Sequence, residues 1–272
     1  MNSAPSATDV GRRPDSVLHR SRTVSAISVA PVKSLGLSHP TEVELLPNSV
    51  AGDHEFFLVD EEGRLFVSRR FPSLVKIGAE VAGTRLALHF PNGAVVDGEI
   101  SLGEETFTDF YGFRTVEGNE VIGPWSGALS RYAGCRVRLL RARRGDGFDL
   151  APVTIVASAS VARLGRESGC AVDHRRFRML FVVDGCEPHE EDTWRRVSLG
   201  EAIVRVGSKL GGPVPRCDVI THNPDTGERD LDALRLIRGY RGKAAEGIVF
   251  GVYADIERPG RVRLGDQVEP LP

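Results

Sequence analysis

The sequence predicts a mainly β protein with a few helices (α+β), in which an N-terminal β-barrel-like module precedes a second, β-dominated module. Short β-prone runs separated by turn signals recur along most of the 272 residues, whereas only three stretches carry a helical pattern. No Gly-x-Gly spacing follows a strand and opens a helix, so a Rossmann unit for a dinucleotide is not supported. With 41% hydrophobic and 26% charged residues, the chain has the composition of a globular protein that needs no disulfide or structural metal to fold.

Residues 1–22 are predicted to form a disordered tail of a cytoplasmic protein. They are small, polar and contain proline, and the Arg12-Arg13 pair precedes no apolar run that would indicate a Sec or twin-arginine signal. No stretch approaches the roughly 18 apolar residues that span a bilayer, so we expect no membrane partner. The formal net charge of −2 argues against nucleic acid as a partner, because such partners usually require a basic surplus.

The first module is predicted over residues 23–115 and the second over residues 116–272. In the first module, turn signals such as EEG, RRFP and PNGA separate the β-prone runs, an arrangement typical of antiparallel strands. A helix with one apolar face, WSGALSRY, follows between Pro124 and Gly134 and links the two modules. The β-prone runs of the first module are VSAISVAPV, EVELL, EFFLVD, RLFVSRR, LVKIGAEV and RLALHF.

The second module is predicted to be mixed but dominated by strands. The strand VTIVAS leads into the helix SVARLGRE with Ser158 or Ser160 as its N-cap, and the first N–H groups of such a helix can bind an anion. Another helix, LDALRLIRGYR, is predicted between Asp230 as N-cap and Gly242 as C-cap. The remaining predicted strands are FRMLFVVDG, RRVSLGEAIVRVGS, CDVITHN and GIVFGVYADIERPGRVRLGDQVEPL.

Cys217 is the most informative of the four cysteines. It follows a Gly/Pro-rich loop over residues 211–215 and comes directly after Arg216. A thiol beside a fixed cation loses its proton more readily, and the thiolate binds soft metals or attacks electrophiles. The alternative is a buried cysteine at a strand edge that acts as a small hydrophobe. The other cysteines, Cys135, Cys170 and Cys186, lie far apart and form no CxxC pair, which disfavours a disulfide framework.

A cluster of cations, Arg175, Arg176 and Arg178, immediately precedes an apolar strand. In an extended segment Arg176 and Arg178 share one face, where two guanidinium groups can hold a phosphate. The alternative is a solvated edge strand whose charges prevent aggregation. Lys33 and Ser34, in the loop after SVAPV, offer a point charge and a hydroxyl of the kind that phosphate sites use.

Two further groups of polar residues are candidates for a metal or catalytic site, but both are interpreted as structural. Cys217 with His222, and Cys186 with His189, are each close enough in sequence for zinc, but neither pair supplies four ligands. The acidic string Glu187, Glu190, Glu191 and Asp192 could supply a carboxylate dyad for acid/base chemistry, but it is interpreted as a turn in which Asp192 is a local cap. We expect no carboxyl of raised pKa there, because nothing nearby in the sequence is apolar enough.

Six sequence strings, taken in order, carry a family resemblance. They are APVKSL, FFLVDEEG, RRFRMLFVVDG, EEDTWRRVSLGE, PRCDVITHNPDTG and FGVYADIERPGRVRLGD. Together they resemble the MOSC superfamily, the molybdenum-cofactor sulfurase C-terminal domain, with its N-terminal β-barrel partner domain. The resemblance implies that the second module is a MOSC β-barrel. The resemblance runs from Val24 to Pro272, and the chain is similar to the group of the mitochondrial amidoxime-reducing component. One such string would be weak, whereas six in the order of the family make a specific match.

The resemblance implies a molybdenum cofactor of the molybdopterin type, held in a cleft between the two modules. Cys217 matches the arginine-cysteine motif of the family, which implies that it ligates the molybdenum and is the catalytic residue. Pyridoxal phosphate binding is a further property that the family resemblance implies. The implied cofactor-binding residues are Lys33, Ser34, Ser160, Arg175, Arg176, Arg178, Arg216 and Thr221.

The implied activity is the reduction of N-hydroxylated or related N-oxygenated small molecules by a molybdenum-cofactor oxidoreductase. The electrons would come from an external partner protein of the ferredoxin or flavin reductase type, because four scattered cysteines cannot assemble an iron–sulfur centre. One alternative is a non-catalytic carrier of the molybdenum cofactor or of sulfur on Cys217. A second alternative is a small-molecule-binding module that keeps the fold and has lost the metal.

The chain departs from the family pattern at three places. His54 and Glu55 stand where similar proteins commonly carry an arginine before the aromatic strand. Leu180 stands where relatives often carry an amide that could donate a hydrogen bond to cofactor or substrate. Asn223 stands where an aspartate is usual. These departures leave cofactor binding expected and bear on the class of substrate.

Overall fold

The computed structural model describes residues 21–207, 213–245 and 247–272. The predicted tail lies outside the described residues except for its last two, and so do Gly211 and Gly212 of the loop before Cys217. In the described part, the first half of the chain forms nine strands and the helix α1 (Trp125–Ala133). The strands are β1 (Thr23–Ile27), β2 (Glu42–Leu45), β3 (Phe56–Val59), β4 (Gly78–Ala82), β5 (Arg85–His89), β6 (Val95–Glu99), β7 (Ser101–Phe110), β8 (Arg114–Ile122) and β9 (Arg138–Ala142).

The second half forms eight strands and two α-helices among the described residues, α2 (Ser158–Ser168) and α3 (Ala233–Arg241). Short 3-10 helices cover Pro72–Lys76, His174–Phe177, Glu190–Thr193 and Asp218–Thr221. The strands are β10 (Val153–Ala157), β11 (Phe181–Asp184), β12 (Arg196–Leu199), β13 (Ala202–Val206), β14 (Pro213–Pro215), β15 (Val249–Arg258), β16 (Gly260–Arg263) and β17 (Val268–Leu271). The predicted mainly β fold class is confirmed.

The largest sheet curves into a nearly closed barrel. Its strand order is β1-β11-β10-β15-β13-β12-β17, with β14 paired to β15. A bridge between Thr23 and Gln267, and a 3.0 Å hydrogen bond from the Val24 N–H to the Asp266 carbonyl, bring the two ends of this order together. Alternate side chains of the strands, among them Ile155, fill the interior, as small barrels require.

The other sheets of three or more strands have the orders β3-β9-β8-β7 and β4-β5-β6. Their apolar faces pack around Trp125 of α1, which is fully buried and donates its indole N–H to the Leu86 carbonyl at 3.1 Å. Helix α1 begins after Pro124 and ends at Gly134, whose φ of 68° is the left-handed conformation that glycine adopts without strain. The predicted bounds of this helix are confirmed.

Strand pairing joins the two halves of the chain. Strand β1 pairs with β11, and β2 pairs with β16, so that the start of the chain is built into the second half. Strand β9, which follows the predicted boundary at residue 115, pairs with β3 and β8 of the first half. The two predicted modules therefore share strands, and the boundary between them stays a prediction.

Some predicted strands are wrong. The run RLFVSRR forms no strand and makes only the bridge between Val59 and Leu65. The run CDVITHN forms the 3-10 helix Asp218–Thr221, in which the Thr221 hydroxyl donates to the Asp218 carbonyl at 2.5 Å and satisfies it locally. The predicted β-prone runs do not include the observed strands β6 and β7 or most of β8.

The predicted helix starts differ from the observed ones. The N-cap of α2 is Ala157 with no side-chain cap, and Ser158 and Ser160 lie inside the helix. The N-cap of α3 is Asp232, whose carboxylate accepts from the Arg235 N–H, rather than Asp230. The predicted C-cap Gly242 is confirmed. None of the described helices combines the length and the apolar character needed to cross a bilayer.

Candidate functional site

A cavity of about 630 Å³ lies between the two halves of the chain. The cavity is lined by the loops before and after β3, the turn between β7 and β8 at the rim, the loop between β9 and β10, and the segments before β11 and after β14. The polar or aromatic lining residues that the site uses are Lys33, Ser34, Asp53, His54, Arg69, Tyr111, Phe113, Phe148, Asp149, Arg176, Arg178, Arg216, Cys217 and Tyr253. Because both halves contribute, the cavity depends on their shared strands.

Cys217 presents an exposed thiol to this cavity. Its extended backbone ends the loop after β14 and caps the 3-10 helix Asp218–Thr221, so the side chain projects away from the core. The alternative of a buried cysteine is wrong. Cys135 and Cys170 are also exposed and Cys186 is half-buried, but Cys217 is the one of the four that lines the cavity.

Arg178 and Arg216 face the cavity from the wall that carries Cys217. Desolvation lowers the pKa of each guanidinium to about 10. Arg178 donates to the Leu35 carbonyl at 2.8 Å, and Arg216 donates to the carbonyls of Phe250 and Phe177 at 2.9 and 3.0 Å. Among the described residues, no carboxylate forms an ion pair with either group. Two positive charges in a desolvated wall, with no ion pair to a carboxylate of the described residues, fit an anionic ligand.

Lys33 faces the cavity from the other half of the chain and is already paired. Its buried ammonium lies 2.6 Å from the Asp149 carboxylate. Burial alone would raise the pKa of the Asp149 carboxyl, but the Lys33 ammonium outweighs that effect, so the pKa lies below its usual range. Lys33 would bind an anionic group by sharing its charge between that group and Asp149.

Strained backbone is concentrated at the cavity. Five described residues other than glycine have a positive φ, and four of them line the cavity. Such conformations cost about 1–3 kcal/mol each and persist where the surrounding structure imposes them, which is common at functional sites. The four are Ser34 (φ 74°), His54 (52°), Tyr111 (59°) and Arg178 (51°).

The predicted anion site at the start of α2 is filled by the chain itself. Ser160 is fully buried outside the cavity lining and donates to the Glu191 carboxylate at 2.8 Å, and burial raises the pKa of Glu191 to about 7. The expectation that no carboxyl of this acidic string has a raised pKa is therefore wrong. Nor is its final aspartate a cap, because Asp192 pairs with Arg241 and the string forms the 3-10 helix Glu190–Thr193. The raised pKa of Glu191 results from burial in the folded protein, which the local sequence does not show.

The predicted arginine cluster does not form one anion site, because two of its three arginines pair with carboxylates of the chain. Residues 174–177 form a 3-10 helix rather than an extended segment, so Arg176 and Arg178 do not share a face as predicted. Arg175 pairs with Asp173 and Asp225 outside the cavity lining. The Arg176 guanidinium reaches the cavity edge, but its two terminal nitrogens bind Asp230 at 2.6 and 2.8 Å.

Thr221 and Glu55 also lie apart from the cavity. Thr221 is fully buried beneath its own turn. Glu55 faces Arg141 at 3.5 Å, and its carboxylate accepts from the Gly52 N–H. Leu180, by contrast, lines the cavity and makes that part of the wall apolar.

Several lining residues were missed by sequence reasoning. Tyr111 and Phe113 flank a glycine at the turn between β7 and β8, where they are 42% and 61% exposed at the rim. A Tyr-Gly-Phe turn with solvent-facing aromatics is a signal that could have been found. Asp149 and Tyr253 reach the cavity only through the fold, because they come from a long loop and from the middle of β15.

The residues present fit a molybdopterin-type cofactor. The exposed Cys217 thiol suits a soft metal, and the guanidinium groups of Arg178 and Arg216, which form no ion pair within the described part of the chain, suit a phosphate. The aromatic rim adds an apolar boundary to the cavity. The cavity thus provides a thiol ligand and an anion site side by side.

Several known proteins are similar in sequence to this chain. A Caenorhabditis briggsae molybdenum cofactor sulfurase is 27% identical over 241 residues, covering 85% of this chain and 33% of that protein. The Rattus norvegicus mitochondrial amidoxime reducing component 2 is 33% identical over 128 residues, covering 44% of this chain and 37% of that protein. The Xenopus laevis mitochondrial amidoxime-reducing component 1 is 26% identical over 288 residues, covering 90% and 81%. The chain spans about a third of the length of the first two relatives.

Two family profiles match consecutive parts of the chain. The profile of the MOSC N-terminal beta barrel domain matches residues 21–115, and that of the MOSC domain matches residues 142–269. Both fall on the β-rich halves between which the cavity lies. The chain therefore belongs to the MOSC family, as a MOSC domain preceded by a MOSC N-terminal β-barrel domain.

Proposed function

We propose that the cavity binds a molybdopterin-type molybdenum cofactor through Cys217 and that the protein reduces N-hydroxylated or related N-oxygenated small molecules. The observation that carries this proposal is the juxtaposition of one exposed thiol with two guanidinium groups that have no carboxylate partner among the described residues. The relatives named for amidoxime reduction support the choice of substrate class.

Each side chain of the cavity has a distinct part in this proposal. Cys217 would supply the protein ligand to molybdenum, and Arg178 and Arg216 would hold the phosphate by charge-assisted hydrogen bonds. Lys33 and Ser34 would add a cation and a hydroxyl from the first half of the chain. When bound, the cofactor supplies two-electron chemistry at the metal.

The reduction needs electrons and protons from outside the substrate. Breaking an N–O bond and forming N–H and water consumes two electrons and two protons. The four cysteines are too scattered to hold an iron–sulfur centre, and the sequence offers no dinucleotide-binding unit. An external donor protein, of the ferredoxin or flavin reductase type, is therefore part of the proposal. A cytoplasmic location and pyridoxal phosphate binding stay predictions.

Substitution of Cys217 tests the proposed ligand. Protein made in a molybdenum-replete host should contain molybdenum and the fluorescent pterin, and X-ray absorption should show a protein sulfur bound to the metal. In Cys217→Ser the pterin should stay while the protein sulfur signal and turnover are lost. The matched control is Cys170→Ser, an exposed thiol outside the cavity lining, which should behave like the wild type. A wild-type spectrum in Cys217→Ser would contradict the proposal.

The source of electrons separates an enzyme from a carrier. The purified protein should not oxidise NAD(P)H in the presence of an amidoxime, but it should reduce the amidoxime when reduced viologen is supplied. Direct turnover with NAD(P)H would overturn the external donor. Failure with both donors at full molybdenum occupancy would favour the alternative in which the protein carries the cofactor or sulfur. Absence of molybdenum would favour a binding module without metal.

A further inference from the structure

Asp53 and His54 form a hydrogen-bonded pair in the cavity wall. The His54 Nδ1 atom lies 2.7 Å from Asp53 Oδ2, and the other carboxylate oxygen of Asp53 accepts from the Ala30 N–H at 2.7 Å. The Asp53 side chain is only 8% exposed, whereas the His54 ring is 22% exposed and lines the cavity. A buried carboxylate that is itself anchored therefore orients an imidazole toward the cavity.

The backbone of His54 is fixed in a strained conformation that supports this orientation. Its φ of 52° is unusual for a residue other than glycine. The His54 N–H donates to the Ala30 carbonyl at 2.8 Å, and its carbonyl accepts from the Gly147 N–H at 3.1 Å. A Cβ on Gly147 would lie 2.5 Å from the His54 carbonyl oxygen, so this contact requires glycine. Three segments of the chain thus hold one imidazole in place.

The pairing determines which ring nitrogen can exchange a proton. A 2.7 Å contact with a carboxylate assigns the Nδ1 proton to the hydrogen bond with Asp53, because a carboxylate accepts and does not donate. Among the described residues, Nε2 has no hydrogen-bond partner. It is therefore the nitrogen that is free to give or take a proton in the cavity.

The cavity that His54 faces contains charges of both signs. The Asp53 carboxylate pairs with the ring, and the Asp149 carboxyl interacts electrostatically with it. The cations that line the same cavity are Lys33, Arg69, Arg176, Arg178 and Arg216.

We propose that His54, positioned by Asp53, is the proton donor of the cavity for reduction of the N–O bond. This inference rests on the proposed function. The substrate N–O bond breaks, the two electrons come from the cofactor and are restored by the external donor, and the oxygen leaves as water. The imidazolium of His54 would give one of the two required protons to the departing oxygen through Nε2, and solvent would reprotonate the ring. The second proton would reach the nitrogen from solvent and form the N–H bond. Asp53 acts through His54 as a positioning residue.

Kinetics of His54→Asn test the proton transfer. Asparagine tolerates a positive φ, so this variant removes the ring without adding backbone strain. With molybdenum and pterin content unchanged, kcat for an amidoxime should fall about 100-fold while KM changes little. The pH profile of the rate should also differ from that of the wild type, because the proton donor has been removed. The matched control is His89→Gln, since His89 faces Glu80 at 3.6 Å outside the cavity and its loss should leave the rate unchanged.

A rate within threefold of the wild type, with the same pH profile in His54→Asn, would overturn the proposal. Asp53→Asn should lower kcat less than His54→Asn does, and it should be partly rescued by Asp53→Glu. A loss of molybdenum in His54→Asn in place of a fall in kcat would also overturn it, because the histidine would then hold the cofactor.

Nuclear magnetic resonance of histidine ring nitrogens gives a readout that needs no turnover. In ¹⁵N-histidine protein, the His54 signals are identified by their absence in His54→Asn. We expect the Nδ1–H tautomer in the wild type and its loss in Asp53→Asn. An Nε2–H tautomer in the wild type overturns the inference even if the protein reduces amidoximes. Absence of wild-type turnover at full molybdenum occupancy overturns the proposed function and the donor role together, while the tautomer still reports whether Asp53 orients the ring.

Discussion

Arg178 has a left-handed backbone at φ 51°, and its charge forms no ion pair with a carboxylate in residues 21–207, 213–245 and 247–272. Arg178→Asn should remove the charge while keeping a residue that tolerates this φ. A charge-assisted hydrogen bond to a phosphate is worth about 1.5–3 kcal/mol, so cofactor retention should weaken roughly ten- to a hundredfold. Molybdenum and pterin content after extended dilution measures this loss. Arg175→Asn, outside the cavity lining, is the control. Full occupancy in Arg178→Asn after dilution would argue that the arginine is structural.

Glu191 makes the stability of the protein depend on pH. Burial raises its pKa to about 7 from an ordinary 4.5, so the folded protein holds a proton that the unfolded chain has already lost. The stabilisation is complete below pH 4.5 and is lost as pH rises through 7, which lowers the free energy of unfolding by about 3 kcal/mol. Glu191→Gln should flatten this dependence in urea unfolding at pH 5.5 and pH 8. Exposed Glu44→Gln is the control, and an unchanged slope in Glu191→Gln would contradict the assignment.

Sequence analysis identified those site residues whose environment is determined by residues close to them in the chain. Cys217 was singled out by its loop and by Arg216, and both residues line the cavity. Ser160 was misjudged, because the carboxylate that binds its hydroxyl belongs to Glu191, 31 residues later. The His54 ring was noted only as a departure from a family, since its role depends on Gly147 and Ala30, which meet it only in the fold.

Strand β15 contains a glycine that its neighbours require. Gly251 has a φ of 72°, and a Cβ there would lie 2.7 Å from the Ile155 carbonyl oxygen and 2.4 Å from the Met179 Cε. Gly251→Ala should therefore destabilise the protein by about 1–3 kcal/mol. Gly239→Ala, in α3 with no atom within 4 Å of the new Cβ, should instead stabilise it by roughly 0.4–1 kcal/mol. Chemical unfolding of both variants measures the two effects, and equal signs would contradict this account.

Helix ends were predicted correctly where a single proline or glycine determines them. Pro124 and Gly134 bound α1, and Gly242 ends α3, because these residues act through their own backbone preferences. The run CDVITHN has β-branched residues typical of a strand, yet it forms a 3-10 helix whose buried Ile220 packs against the core beneath α3. Tertiary packing overrides such a weak local preference.

At the scale of the whole molecule, the halves should not fold apart. A fragment of residues 116–272 lacks β1, the partner of β11, and β2, the partner of β16, and it leaves β9 without β3. We expect the fragment to give poorly dispersed amide resonances, and we expect dispersion to return when residues 1–115 are co-expressed. A well-dispersed spectrum from the fragment alone would show that the shared strands are dispensable.

The strand pairs that join the two halves also determine at which stage of synthesis the site can form. Ribosomal synthesis delivers β1 and β2 early, but Thr23 pairs with Asp184 and Leu45 pairs with Gly260, which emerge much later. Contacts of such high sequence separation form slowly and leave strand edges exposed on the nascent chain. Lys33 lies between these two early strands, and Cys217 follows on the late side. A ligand that needs both residues can therefore bind only after β11 and β16 have been synthesised and have paired with the two early strands.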